Sequence, residues 1–255
     1  MNHPFFSELN PEPSYPRLCA HRGFSAAMPE NSLPALASAV VLGAQEIEFD
    51  LRTTCDGVIV SIHDPCLDRV SNGHGMVEDH TFEELRALDF SGEYTGFRGL
   101  QIPTFEEILQ KLAGQTVMNI HAKIWEGDHP ADRLEEIVSL IRRYRCERQI
   151  YFAANSSEAC RIVKEYDPNL CYCLIWNGKE SAAELVDRAI LAGADKVQLS
   201  SPMDDAECIK CAHAHGIRCN LFYADDPLEA KRYFEMGIDT ILTNEYLLLK
   251  QSLEI

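Results

Sequence analysis

The sequence predicts an α/β protein, a closed (β/α)8 barrel, on three observations. Apolar runs of strand length alternate with helix-period segments almost throughout, which means parallel strands joined by right-handed crossovers. Eight such strands in 255 residues is the number that closes a barrel rather than extending an open sheet. Three segments, LGAQEIEFD (42–50), AGADKVQLS (192–200) and MGIDTILTN (236–244), share one grammar: a glycine suited to end a helix, two linker residues, then a strand. Seven residues beyond each glycine stand Asp50, Ser200 and Asn244, polar groups at the strand ends where a barrel keeps its active-site rim.

Taken in order, residues 1–16 carry four prolines and read as an irregular N-terminal arm. RLCAH (17–21) is the first strand, followed by a helix near 32–42 and the strand EIEFDLRT (46–53). Asp56-Gly57 between apolar residues signals a hairpin, so VIVSIHD (58–64) folds back beside its predecessor. The turn-rich stretch over about 65–103 is too long for a bare loop and predicts a small insertion over the barrel mouth, after the second strand region. Strands follow at 116–124, 149–154, 170–176, 196–200, 218–224 and 240–244. Helices near 104–113, 130–145, 156–166, 180–192, 204–215 and 226–236 separate them, and a short helix closes the chain. No second domain is visible, so residues 1–255 are expected to form a single barrel.

The formal net charge of −17 argues against nucleic acid or an anionic membrane as a main partner, because phosphate polymers reward a basic surface. A small anionic substrate is compatible, since it needs only a local positive pocket. No stretch approaches the roughly 18–20 apolar residues of a membrane span, and the N-terminus has no signal-peptide pattern. Ten cysteines without a secretion signal read as small buried hydrophobes kept reduced, which predicts a cytoplasmic protein. CIKC (208–211) has no second ligand pair beside it and reads as ordinary helix.

Chemistry concentrates on two strands. Residues two apart on a strand share a face, so Glu48 and Asp50 of EIEFD project together into the barrel while Ile47 and Phe49 meet the helices. Two buried carboxylates repel unless something positive joins them, either a divalent cation or a nearby Arg or Lys. MNIHAKI repeats the pattern with His121 and Lys123, a third ligand and a phosphate-sized charge. His21 ends one apolar run before Arg22, and His63 ends another before Asp64. Imidazoles at strand ends suit a general base and a general acid.

These residues carry a resemblance. AHRG, PENS, GAQEIEFDLRTTCDGVIVSIHDPCLDRVSNGHG, IPTFEEIL and GIDTILTN are similar to the glycerophosphodiester phosphodiesterase family, from about residue 18 to the C-terminus. The resemblance implies a TIM barrel with a small insertion after the HD strand. It implies His21 and His63 as the acid–base pair, Arg22 as the phosphate-binding arginine, and Glu48 and Asp50 as metal ligands. Lys123 matches the lysine beside the third ligand, where the family usually has Glu-x-Lys and this chain has His121-Ala122-Lys123. One divalent ion is therefore expected, Mg²⁺, Ca²⁺ or Mn²⁺, with His121 moving the preference toward Mn²⁺ or another imidazole-tolerant metal. LTN stands where the family usually has Thr-Asp, and Asn220 and Phe222 lie where it often contacts glycerol.

The reaction implied is hydrolysis of small glycerophosphodiesters to glycerol 3-phosphate and an alcohol. Phospholipase D-like action on a larger phospholipid and a retired barrel kept for binding or regulation are the alternatives. Retention of so many buried charged groups argues against the second. The head group and the oligomeric state are not legible in the sequence.

Overall fold

Alternation along β2 (Glu46–Thr53) decides how the sheet curves. Ile47, Phe49 and Leu51 are fully buried on the outer face, where the Phe49 ring lies 6.3 Å from Phe105. Burying each such side chain contributes about 1.5–3 kcal/mol. Glu48 and Asp50 take the other face, into the interior. The computed structural model describes residues 14–126, 129–201, 203 and 205–253. Of the expected N-terminal arm, residues 1–13 lie outside the described residues.

Eight parallel strands close the barrel: β1 (Arg17–His21), β2, β4 (Val117–Ala122), β5 (Ile150–Ala154), β6 (Cys171–Ile175), β7 (Lys196–Ser200), β8 (Arg218–Phe222) and β9 (Thr240–Thr243). The seam is the β1–β2 pairing, which sets His21 beside Glu48, while β1 also pairs with β9. β3 (Ile59–Ser61) is the hairpin partner of β2 and runs antiparallel to it. Its turn is built as the Asp-Gly pair predicts: Gly57 has φ +88° and the Thr54 hydroxyl donates to Asp56 Oδ1 at 2.6 Å.

The helices α1 (Leu33–Val41), α3 (Phe105–Leu112), α4 (Leu134–Arg143), α5 (Ser157–Tyr166), α6 (Ala182–Ala192), α7 (Ala206–Ala214), α8 (Pro227–Met236) and α9 (Tyr246–Leu253) surround the sheet. Their starts are chemically marked. Ser32, Thr104, Ser156, Ser181, Asp205 and Asp226 cap first turns, with full capping boxes at Thr104 and Ser181. Between β3 and α3 the chain packs a satellite cluster of Val60, Ile62, Leu67, Val77, Leu85, Phe90 and Ile102 around the short α2 (Phe82–Arg86). Tyr94 of this segment donates to the Ser25 carbonyl at 3.0 Å, tying it to the loop after β1.

The lower interior, at the strand starts, is also polar. Arg17 lies 3.6 Å from Glu46, which accepts from the Tyr151 hydroxyl; Asn220 donates to Tyr151 Oη at 2.8 Å and accepts from Lys196 Nζ at 3.3 Å. One predicted strand ends early and one predicted helix starts late. β4 stops at Ala122 and Lys123 opens a 3-10 turn through Trp125, whose fully buried indole packs 4.9 Å from Phe152. α4 begins at Leu134 because Arg133 before it is left-handed, with φ 54°.

The loop after β1 depends on a missing side chain. Gly23 has φ +81°, and a Cβ there would come within 2.6 Å of the Ala35 carbonyl carbon and 2.7 Å of the Leu36 nitrogen. The Phe24 N–H bond to the Ala35 carbonyl, 2.9 Å, holds that close approach in place. Gly23→Ala is therefore expected to destabilise the fold by about 2–4 kcal/mol, combining backbone strain and overpacking. Urea denaturation checks it: the midpoint falls at constant slope, and an unchanged midpoint would show that the loop has room to move.

Candidate active site

A cavity of about 320 Å³ opens at the C-terminal ends of the strands. His21, Arg22, Glu48, His63, His121 and Lys123 line its polar side; Ile175, Trp176, Leu199, Phe222 and Leu242 line the apolar one. The structure thus gathers eight of the nine residues singled out in the sequence, with Asp50 against this cluster. Asn220 is the exception. It shares a strand face with Phe222 but lies one layer deeper, fully buried and held by Tyr151 and Lys196, and does not line this cavity.

The acidic pair is the site's electrostatic centre. Glu48 is 2% and Asp50 1% exposed, so little water screens either carboxylate. Burial pushes the Glu48 carboxyl up to about 8, and the charge of Asp50 beside it adds to the rise. Burial also pushes Asp50 up, but His121, His63, Lys123 and Arg22 outweigh it and hold Asp50 below the usual carboxylate range. The strand register sets Asp50 beside His121, and Nδ1 of that ring lies 3.4 Å from Asp50 Oδ1. Burial, then Lys123, lowers His121 to about 3, which keeps the imidazole neutral with a lone pair to give.

One donor atom each from Glu48, Asp50 and His121 lie within 4.8 Å of one another, close enough to share a cation. Asp50 Oδ1 is buried with no hydrogen-bond partner among the described residues. An unpaired oxygen in a group of two carboxylates and one neutral imidazole fits a divalent ion. The other Asp50 oxygen is fixed. Asn31 donates from Nδ2 to Oδ2 at 2.9 Å and accepts from the Asp50 backbone N–H at 3.0 Å. Asn31 belongs to PENS and takes φ 57°, a conformation asparagine tolerates better than most residues.

The two histidines have different partners. His21 Nδ1 lies 2.8 Å from Asn244 Oδ1, while Asn244 Nδ2 donates to Asp225 at 2.9 Å. Asp225 therefore fixes the amide with its oxygen toward His21, so Nδ1 carries the proton and Nε2 is bare. Burial, then Arg22, lowers His21 to about 4, and the Phe222 ring packs edge-on against it at 5.1 Å. His63 Nδ1 instead meets the Asp64 carboxylate at 2.7 Å.

Positive charge is arranged around the same space. Arg22 bonds Glu30 at 2.8 Å, and its Nε, 3.6 Å from Asp50, is buried without an acceptor among the described residues. Lys123 Nζ lies 3.9 Å from Asp50 and 3.6 Å from Glu126. Arg69, from the segment after β3, donates to both oxygens of Glu30 and to Asp64 at 2.5 Å, so one guanidinium braces the supports of Arg22 and His63. Sequence reasoning missed Asn31, Glu30, Arg69, Asp225, Glu126 and Asn119. Of these, Asn119 left a periodic signal, two residues before His121; both its amide atoms are buried at the cavity wall without partners among the described residues.

Fold and site together define a barrel enzyme with its charged groups at the C-terminal mouth. The chain belongs to the glycerophosphoryl diester phosphodiesterase family, whose pattern matches residues 21–248, and that is a family of phosphoric diester hydrolases. It is 29% identical over 231 residues to the glycerophosphodiester phosphodiesterase of Caldanaerobacter subterraneus subsp. tengcongensis, covering 89% of this chain and 93% of that one. Bacillus subtilis YhdW, of the same family, is 45% identical over 233 residues, covering 89% and 93%. In fold it is similar to an Oleispira antarctica phosphodiesterase in complex with the product sn-glycerol-3-phosphate, with TM-score 0.83 at 21% identity over 94% and 98% of the two chains.

The Arg69 brace gives a testable pH dependence. Its hydrogen bond, with the contact to His63, lowers Asp64 to about 2. A carboxyl depressed in the folded state stabilises the fold above its unfolded value of about 3.8, and that contribution disappears as the pH falls through about 2. Asp64→Asn is thus expected to be less stable than the native chain near neutrality, with the gap narrowing from about pH 5 to about pH 2. Denaturation curves across that range check it, and a gap independent of pH would contradict it.

Proposed function

We propose that the site hydrolyses small glycerophosphodiesters to glycerol 3-phosphate and an alcohol, with His21 as general base and His63 as general acid. One observation carries this reading. Two histidines, each with Nδ1 committed to a different neighbour, flank one cavity that also holds two cations and the Glu48–Asp50–His121 group. The product held by the Oleispira antarctica relative supports the choice of substrate class.

Arg22, with its unpaired Nε, and Lys123 bind the non-bridging oxygens of the anionic diester. Glu48, Asp50 and His121 would hold the divalent ion, which when bound neutralises charge on the phosphoryl group as a Lewis acid. His21 Nε2 takes the proton of the attacking hydroxyl while the new P–O bond forms. The P–O bond to the alcohol breaks, and His63 gives a proton to the departing oxygen. His21 suits the first role because the Asn244 amide fixes its tautomer with a bare Nε2. His63 has a carboxylate neighbour, suited to a ring that carries and gives up a proton. Phe222 and Trp176 offer an apolar wall to the carbon atoms of glycerol or the alcohol.

No helix among the described residues is long and apolar enough to cross a membrane. All ten cysteines are free thiols, consistent with a reducing cytoplasmic setting.

The test is hydrolysis of glycerophosphocholine and glycerophosphoethanolamine by metal-stripped protein, with Mg²⁺, Ca²⁺, Mn²⁺ or Zn²⁺ added back. Glycerol 3-phosphate is expected with Mn²⁺, and His21→Ala and His63→Ala should each lower kcat by about 10²–10⁴-fold. Folded protein that releases none with any metal would refute the reading.

A further inference from the structure

Outside the acidic pair, the least explained group at the site is the far side of His121. Its Nδ1 faces Asp50 at 3.4 Å, so the ring turns its other nitrogen away from the Glu48–Asp50 pair. That nitrogen, Nε2, is buried and has no hydrogen-bond partner among the described residues. The carboxylate it faces is Glu126, whose Oε1 lies 3.7 Å away. The chain delivers Glu126 there through the 3-10 turn that ends β4, with the Glu126 N–H bonded to the Lys123 carbonyl at 3.3 Å.

We propose that Glu126 is a positioning residue that acts through His121, accepting Nε2–H so that Nδ1 presents its lone pair to a divalent cation shared with Glu48 and Asp50. The inference rests on the metal reading above. An imidazole bound through one nitrogen gains basicity when its other N–H is held by a carboxylate. The arrangement returns negative charge behind a neutral ligand at the position where the resemblance leads one to expect a glutamate. Closing from 3.7 Å to a hydrogen bond takes less than 1 Å. Glu126 is free to make that move, its side chain being 37% exposed at the cavity edge. Lys123 competes for the same oxygen at 3.6 Å, so Glu126 could instead act only as a counterion to that lysine. The experiment separates these two roles.

Mn²⁺ binding to the metal-free full chain, followed by the electron paramagnetic resonance signal of free Mn²⁺, reads the site without turnover. Glu126→Gln keeps size and loses charge, and is expected to weaken Mn²⁺ binding about 10–100-fold. The same change made in the His121→Glu background should cause no loss, because no imidazole is left to orient. Glu126→Asp, which keeps the charge, should recover part of the affinity. Thermal melts of each variant confirm that folded protein is compared. Asp50→Asn is the control for the underlying reading: if it leaves Mn²⁺ binding intact, the metal site itself is wrong. If Asp50→Asn abolishes binding while Glu126→Gln does not change it, the metal site stands and the role of Glu126 is overturned. A loss of equal size in the His121→Glu background also overturns it, pointing to Lys123 or to direct ligation.

Discussion

Two carboxylates buried side by side on β2 are the constraint around which the upper barrel is arranged. Glu48 and Asp50 share an interior face because β2 alternates, and water cannot screen them. Nearly every polar group nearby answers their charge or their lone pairs. The Arg22 backbone N–H bonds Glu48 at 3.0 Å, and Asn31 grips Asp50 from two directions. Arg22, His121 and Lys123 approach within 4 Å of Asp50. Removing the pair would strand these groups, so the acidic centre and its shell stand or fall together.

The interior holds two polar layers with opposite duties. In the lower one, Arg17, Glu46, Tyr151, Asn220 and Lys196 largely satisfy one another. In the upper one, Asp50, His121, Arg22 and Asn119 each keep a buried atom without a hydrogen-bond partner among the described residues, against Glu46 Oε2 alone of the five lower groups. A network that is mostly paired specifies a structure; one left open in a cavity is ready for a ligand. The apolar rings between the helices and the sheet leave the polar layers free of the task of holding the barrel together.

Much of this was legible in the sequence, and each failure has a physical cause. Alternation told which face of β2 Glu48 and Asp50 occupy, and strand ends told where His21 and His63 stand. A resemblance gives a position along a strand but not a depth, so it pairs Asn220 with Phe222 although Asn220 belongs to the lower layer. Period alone also carried the β4 strand on to Lys123, where the backbone has already turned into a 3-10 helix. The pairings that support the site are not legible, for another reason. Asn31 meets Asp50, Arg69 meets Glu30, and Asn244 meets His21 across separations of 19, 39 and 223 residues. Such meetings are set by register and loop path, which no local pattern records. Glu126 shows the reverse difficulty: it is near His121 in sequence, but only the 3-10 turn brings it back toward the ring.

The seam of the barrel runs through the site. β1 is held between β2 and the last strand, β9, and the amide that fixes His21 follows that last strand directly. During synthesis the emerging chain therefore carries its acidic pair, Lys123 and His63 long before it can orient His21. The nascent chain cannot set the His21 ring until β9 and Asn244 have left the ribosome. The strand that closes the cylinder is the one that leads the Asn244 amide to the imidazole.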